Sequence, residues 1–145
     1  MAEKKAMLVR DIMTERVLTA KKDTPIKNIA HLMLFQRISG VPIVDEGRKL
    51  CGVVTTTDLF KILGKLVADR AFGSYDEMFK NKTITAGDIM TKEIVQLTPM
   101  TPIEEVIKIS VYRGIRTFPI VENDEIVGII GRRDVLNVGF SVIEK

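Results

Sequence analysis

Asp11-Ile12-Met13-Thr14 returns 77 residues on as Asp88-Ile89-Met90-Thr91, and much of the chain keeps that offset. Thr24-Pro25-Ile26 aligns with Thr101-Pro102-Ile103, Ile38 with Ile115, and Pro42-Ile43-Val44 with Pro119-Ile120-Val121. Past the polar stretch Asp45-Glu46-Gly47-Arg48-Lys49 the offset drops to 76, pairing Gly52 with Gly128 and Asp58 with Asp134. A surface hairpin loop tolerates the loss of one residue because it carries no core packing. Identities in this order, at a nearly constant offset, mark an internal duplication.

Each copy predicts the same β-α-β-β-α order. Val17-Leu18-Thr19 and Ile94-Val95-Gln96-Leu97 are short strand candidates. Thr24 and Thr101 are expected N-caps, each followed by Pro at the first helical position, and Glu104 would complete a capping box with Thr101. The helices that follow carry apolar residues at helical spacing: Ile26, Ile29, Ala30, Met33 and Leu34, then Ile103, Val106, Ile107 and Val111. Gly40 and Gly114 stand near their ends. Val41–Val44 with Leu50–Thr55, and Phe118–Val121 with Ile126–Ile130, read as hairpins. A second helix is expected to start near Asp58 and near Asp134. The fold class is therefore α+β: repeat 1 over 7–66, a connector over 67–85 and repeat 2 over 86–141. In the connector, Val67 to Phe72 reads as a possible helix extension and Glu77 to Lys80 as a short helix. One copy is too small to bury its apolar face well, so two copies are expected to pack sheet against sheet about a pseudo-twofold axis.

Composition narrows the functional class. The 145 residues are 46% hydrophobic and 28% charged, enough for a real core in a soluble chain. No apolar run approaches membrane-spanning length and the N-terminus has no secretory signal, so the expected location is the cytoplasm. A single cysteine, Cys51, rules out an internal disulfide and a multi-cysteine zinc site; it reads as a small buried hydrophobe. With His31 as the sole histidine, no metal site is expected. Net charge is +3 and the pI near 9.0, which suits an anionic ligand but is too small to argue for nucleic acid. Glycine-rich phosphate loops, His-Glu-x-x-His and Gly-x-Ser-x-Gly are all missing, so no catalytic residues are assigned and no catalysis is expected.

Asp-Ile-Met-Thr, a Thr-Pro-initiated helix, a Pro-Ile-Val strand and a Gly-apolar-apolar strand running into an Asp-headed helix, all present twice, resemble the CBS (cystathionine β-synthase) domain. The tandem is similar to a CBS pair, or Bateman module, over about residues 7–140. That resemblance implies a regulatory module binding an adenosyl ligand (AMP, ADP, ATP or S-adenosylmethionine) in clefts between the repeats, with no required cofactor. It also implies a homodimer, a flat disc of four repeats, acting on a regulated partner protein that the sequence does not name. The alternative is a structural dimerisation module whose ligand sites have decayed.

Gly52-Val53-Val54-Thr55-Thr56-Thr57-Asp58 resembles the family's Gly-apolar-apolar-Thr/Ser-x-Thr/Ser-Asp motif. A short carboxylate at a helix start can accept both ribose hydroxyls, and Thr55 and Thr57 offer donors to phosphate. The bland reading of Thr57-Asp58 is a helix cap. The second copy, Gly128-Ile129-Ile130-Gly131-Arg132-Arg133-Asp134, keeps Asp134 but loses the hydroxyls. Arg133 there could pair with phosphate or stand solvated. Arg116, where family members place phosphate-reaching basic residues, aligns with Ser39, so the two sites should differ in anion affinity. Around the base the expected neighbours are Val17, Leu18, Val41, Ile94, Val95 and Phe118, with Thr19, Gly40 and Thr117 nearby; for any one of these apolar residues plain core packing is the competing reading.

Overall fold

The computed structural model describes residues 6–80 and 82–140; Ser141, the last residue read into the second copy, lies outside them. In chain order the elements are α1 (Val9–Ile12), α2 (Ile26–Gln36), β1 (Gly40–Val44), β2 (Leu50–Thr55), α3 (Thr56–Ala68), α4 (Tyr75–Met78), α5 (Ala86–Ile89), α6 (Ile103–Arg113), β3 (Thr117–Glu122), β4 (Glu125–Gly131) and α7 (Arg132–Gly139). They form two compact units. The first is Leu18–Ile94; the second joins the residues up to Val17 to those from Val95 onward.

Each unit holds a two-stranded antiparallel hairpin, and the duplication extends to its irregularities. Gly40 faces Thr55 and Ile43 faces Gly52 in the first, with a register shift between Ile43 and Val44. Thr117 faces Gly131 and Ile120 faces Gly128 in the second, with the same shift between Ile120 and Val121. The connecting loops absorb the missing residue. The longer one is tied by Asp45, whose Oδ1 accepts from the amides of Gly47 and Lys49 at 2.9 Å each. The shorter one turns on Asn123 and Asp124, both at positive φ (54° and 65°), as a tight two-residue hairpin requires.

The expected first strands are not strands. In each unit one residue forms a single parallel bridge: Ala20, just after the first expected strand, to Ile43, and Leu97, the last residue of the second, to Ile120. Ala20 N donates to Pro42 O at 3.0 Å and Val44 N to Ala20 O at 2.9 Å. Proline at 42 and 119 lends its carbonyl to this bridge but has no amide to give to the next one, so pairing stops at one residue.

Helix starts and stops also differ in detail. Pro25 and Pro102 are the N-caps, one residue beyond the threonines. Thr24 Oγ1 accepts from Lys21 N at 3.1 Å and Thr101 Oγ1 from Thr98 N at 3.0 Å, so both threonines close the preceding turn. Among the described residues Glu104 makes no hydrogen bond to Thr101, and the expected capping box is not formed. Gly114 ends α6 at φ 68°, but its counterpart ending α2 is Arg37, at φ 53°, and Gly40 begins β1 instead. In the connector α3 stops at Ala68 and α4 is set by a Ser74 cap, its hydroxyl accepting from Glu77 N.

The two cores are separate clusters. Ile29, Met33, Val41, Ile43, Val54 and Ala86 make one; Val9, Leu97, Ile103, Val106, Phe118, Ile120 and Ile130 make the other. Ala86 belongs to the second sequence copy and Val9 to the first, so the opening motif of each copy packs with the body of the other. Backbone bonds fix this exchange. Val53 and Thr91 bond reciprocally at 3.0 and 2.9 Å, and Thr14 and Ile129 at 2.9 Å both ways. The methionine of each motif lies over the strand glycine. A Cβ on Gly52 would stand 2.6 Å from Met90 Sδ, and one on Gly128 2.6 Å from Met13 Sδ. This contact explains why the motif and the glycine recur together.

Candidate functional site

The strand-to-helix turn of each unit gathers most of the residues singled out in the sequence. In the first unit β1 begins beside the end of β2, bringing Ser39, Gly40 and Val41 next to Thr55, Thr57 and Asp58. Ser39 O accepts from Thr56 N at 3.1 Å. Thr55 is the N-cap of α3 and Asp58 its third residue. Asp58 Oδ2 accepts from Thr55 N (2.8 Å) and from Thr55 Oγ1 (3.1 Å), while Thr55 Oγ1 accepts from Asp58 N (3.3 Å). Thr91 Oγ1 donates to Asp58 Oδ1 at 2.9 Å. Asp58 is 6% exposed and both its carboxylate oxygens are engaged. Thr57 is exposed on the first turn of α3.

In the second unit the same turn is built with fewer bonds. Gly131 caps α7 and its amide donates to Asp134 Oδ2 at 2.8 Å. Asp134 Oδ1 has no hydrogen-bond partner among the described residues, and the side chain is only half-buried. Arg116 O accepts from Arg132 N at 3.0 Å, so these two arginines flank the end of the hairpin, with Arg133 following on the helix. All three are exposed, and none is in an ion pair among the described residues. They stand where the first unit has Ser39, Thr56 and Thr57, so the second turn is the cationic one.

The remaining residues fall into two groups. Val41 (0% exposed) and Phe118 (1%) are sealed core side chains. Thr19 and Thr117 are half-buried beside the hairpins, and Val95 packs against the second core. Two participants escaped the sequence reading. Thr91 stood in plain view as the last residue of the duplicated motif, and Arg132 as the counterpart of Thr56. An aspartate third in the helix is also a general capping device here: Asp11 and Asp88 accept from Leu8 N and Thr85 N at 2.9 Å in the same way. Among the described residues no cluster of His, Cys, Asp and Glu could hold a metal, and no helix is long and apolar enough to cross a membrane.

The CBS domain family profile matches residues 9–65 and 86–140. The chain belongs to the CBS domain family. It is a tandem CBS pair, and a CBS pair is a regulatory module. The pair of protein MJ0100, solved with 5′-methylthioadenosine and S-adenosyl-L-methionine, is 26% identical and superposes with a TM-score of 0.76, covering 96% of this chain and all of that one. The uncharacterized protein MJ1225 of Methanocaldococcus jannaschii is 28% identical over 130 residues, 90% of this chain and 42% of its own length. A homoserine O-acetyltransferase of Methanosphaera stadtmanae is 29% identical over 131 residues, 90% of this chain and 24% of its own length. This CBS pair thus spans less than half the length of either sequence relative.

Proposed function

We propose that this CBS pair is a non-catalytic regulatory module that binds an adenosyl ligand at the strand-to-helix turn, with its ribose on an aspartate and its phosphate on arginines. The observation that carries the reading is the second turn, where Asp134 Oδ1 has no hydrogen-bond partner among the described residues and Arg116, Arg132 and Arg133 are exposed around the same helix start. A carboxylate oxygen accepts a ribose hydroxyl in a strong charge-assisted bond, and a planar guanidinium suits phosphate. The two ligands of the MJ0100 pair, both adenosyl compounds without phosphate, support the adenosyl class, and the arginines are what favour a phosphate-bearing member of it. Ligand binding would bias a surface read by a partner protein, by no more than its differential affinity for the two states.

Thermal unfolding with AMP, ADP, ATP, S-adenosylmethionine and NADH tests this. A ligand at ~100 times its Kd is expected to add about 2.7 kcal/mol. No shift with any of the five would overturn it and leave the second reading, a structural dimerisation module. That second reading draws on Asp58, whose oxygens are both used by the chain itself.

We also propose that the module is a homodimer. Each unit leaves a like apolar stripe on its helices: Leu34 (75% exposed), Phe35 (84%) and Phe60 (72%) in the first, Val111 (71%), Tyr112 (84%) and Leu136 (55%) in the second. In the second unit this stripe borders a groove of about 240 Å³ between α6 and α7, floored by Phe118. Apolar faces of this kind are uncommon on monomers, and a face present twice at corresponding positions suits a second copy of the same chain. Leu34→Glu together with Val111→Glu is expected to convert a dimer to a monomer in analytical ultracentrifugation; a monomeric parent, or an unaffected dimer, would dismiss this face.

A further inference from the structure

We infer that the Thr91 hydroxyl is a built-in competitor for the ribose at Asp58, so that the first unit binds adenosyl ligand much more weakly than the second. The inference rests on the proposed function and assigns its two sites unequal strength.

The two turns share their backbone but not their carboxylate bonds. Among the described residues Asp58 receives three donors: Thr55 N, Thr55 Oγ1 and Thr91 Oγ1. Among the described residues Asp134 receives one, Gly131 N. The first difference is written into the cap, where glycine at 131 replaces the threonine hydroxyl at 55. The second lies in the crossing motif. Thr91 and Thr14 occupy corresponding places and make corresponding reciprocal backbone bonds, to Val53 and Ile129. Only the hydroxyl of Thr91 reaches an aspartate; among the described residues Thr14 donates no side-chain bond to Asp134.

The backbone bridge makes Thr91 an effective competitor. Both its amide and its carbonyl are held on β2, so its hydroxyl is delivered to Asp58 Oδ1 with little further ordering. Ligand ribose must displace that donor and then replace one satisfied bond with another, which brings little net gain. At Asp134 the ribose meets an oxygen with no donor among the described residues and forms a new charge-assisted bond. The turn that carries threonine hydroxyls at 55 and 57 is therefore the weaker site.

Calorimetric titration of the whole chain with AMP tests the inference. Wild type is expected to bind one AMP per chain tightly, with any second site at least roughly tenfold weaker. Thr91→Val should strengthen the weaker site, that of the first unit, by roughly tenfold, while Thr91→Ser, which keeps the hydroxyl, should behave as wild type. Adding Asp58→Asn to Thr91→Val should remove the gained site. Two equal sites in wild type, or no gain in Thr91→Val, would overturn the competitor and leave the proposed function standing. No heat from AMP in any variant, with no thermal shift from the other adenosyl ligands, would overturn both.

Discussion

Phe118→Ala is expected to destabilise the chain by about 3–5 kcal/mol, the cost of removing a fully buried aromatic ring and leaving a cavity. Against a total of roughly 5–15 kcal/mol for a typical domain, that is enough to leave the second unit marginal. Phe118 is 1% exposed and forms one cluster with Val9, Leu97, Ile103, Val106, Ile120 and Ile130. These neighbours come from α1, the bridge segment, α6 and both strands, so the ring is where the exchanged N-terminal helix meets the body of its unit. Urea unfolding would read the loss as a lower midpoint at unchanged slope. A cost under about 1 kcal/mol would mean that the site collapses without a cavity and that the ring is not the centre of this core. The residue aligned with family base contacts therefore acts first as core. Its contribution to ligand affinity should follow its effect on folding.

Asp134→Asn is expected to raise the Kd for AMP by roughly 30- to 100-fold, while the melting temperature without ligand changes little. Bonds to a charged acceptor are worth about 1.5–3 kcal/mol, and about 1.4 kcal/mol corresponds to a factor of ten. The amide side chain can still accept from Gly131 N, so the start of α7 keeps its cap and the fold is retained. What is lost is the negative charge facing the ribose hydroxyls. Fluorescence or calorimetric titration of the folded variant checks the result. An affinity within threefold of wild type would remove Asp134 from the site. Phe118→Ala should thus move stability and Asp134→Asn affinity.

The duplication was legible because it is written in residues that local geometry demands. Asp at the third helical position, Pro-apolar-apolar in the first hairpin strand and Gly opposite Ile43 or Ile120 each have a local reason, and so each recurs. The hairpins and main helices came out within a few residues. The short opening strands did not, because Pro42 and Pro119 limit pairing to a single bridge, a long-range effect that Val17-Leu18-Thr19 does not reveal. Arg37 at a left-handed cap was hidden because its copy carries the expected glycine. Leu34 and Val111 fit a helical apolar face but point away from both cores, since spacing shows that a stripe exists and not how wide its partner is. At the site, residue types showed that the two turns differ, with hydroxyls at Thr55 and Thr57 in one and arginines in the other. The hydrogen bonds on which the proposed ranking rests are not local, because one comes from Thr91, a residue 33 positions from Asp58 in the chain.

The exchanged opening motifs bear on ancestry and on dissection. If the gene arose by doubling a single-copy ancestor, that ancestor would already have needed a twin, because one copy's Met-Thr pair lies on the other copy's strand glycine. Fusion then turned an intermolecular trade into an intramolecular one without altering a contact. The same geometry says that severing the chain in its connector would not release two autonomous halves. Each piece would carry its neighbour's lid and lack its own, and co-expressed pieces should regain structure only by reassembling with each other.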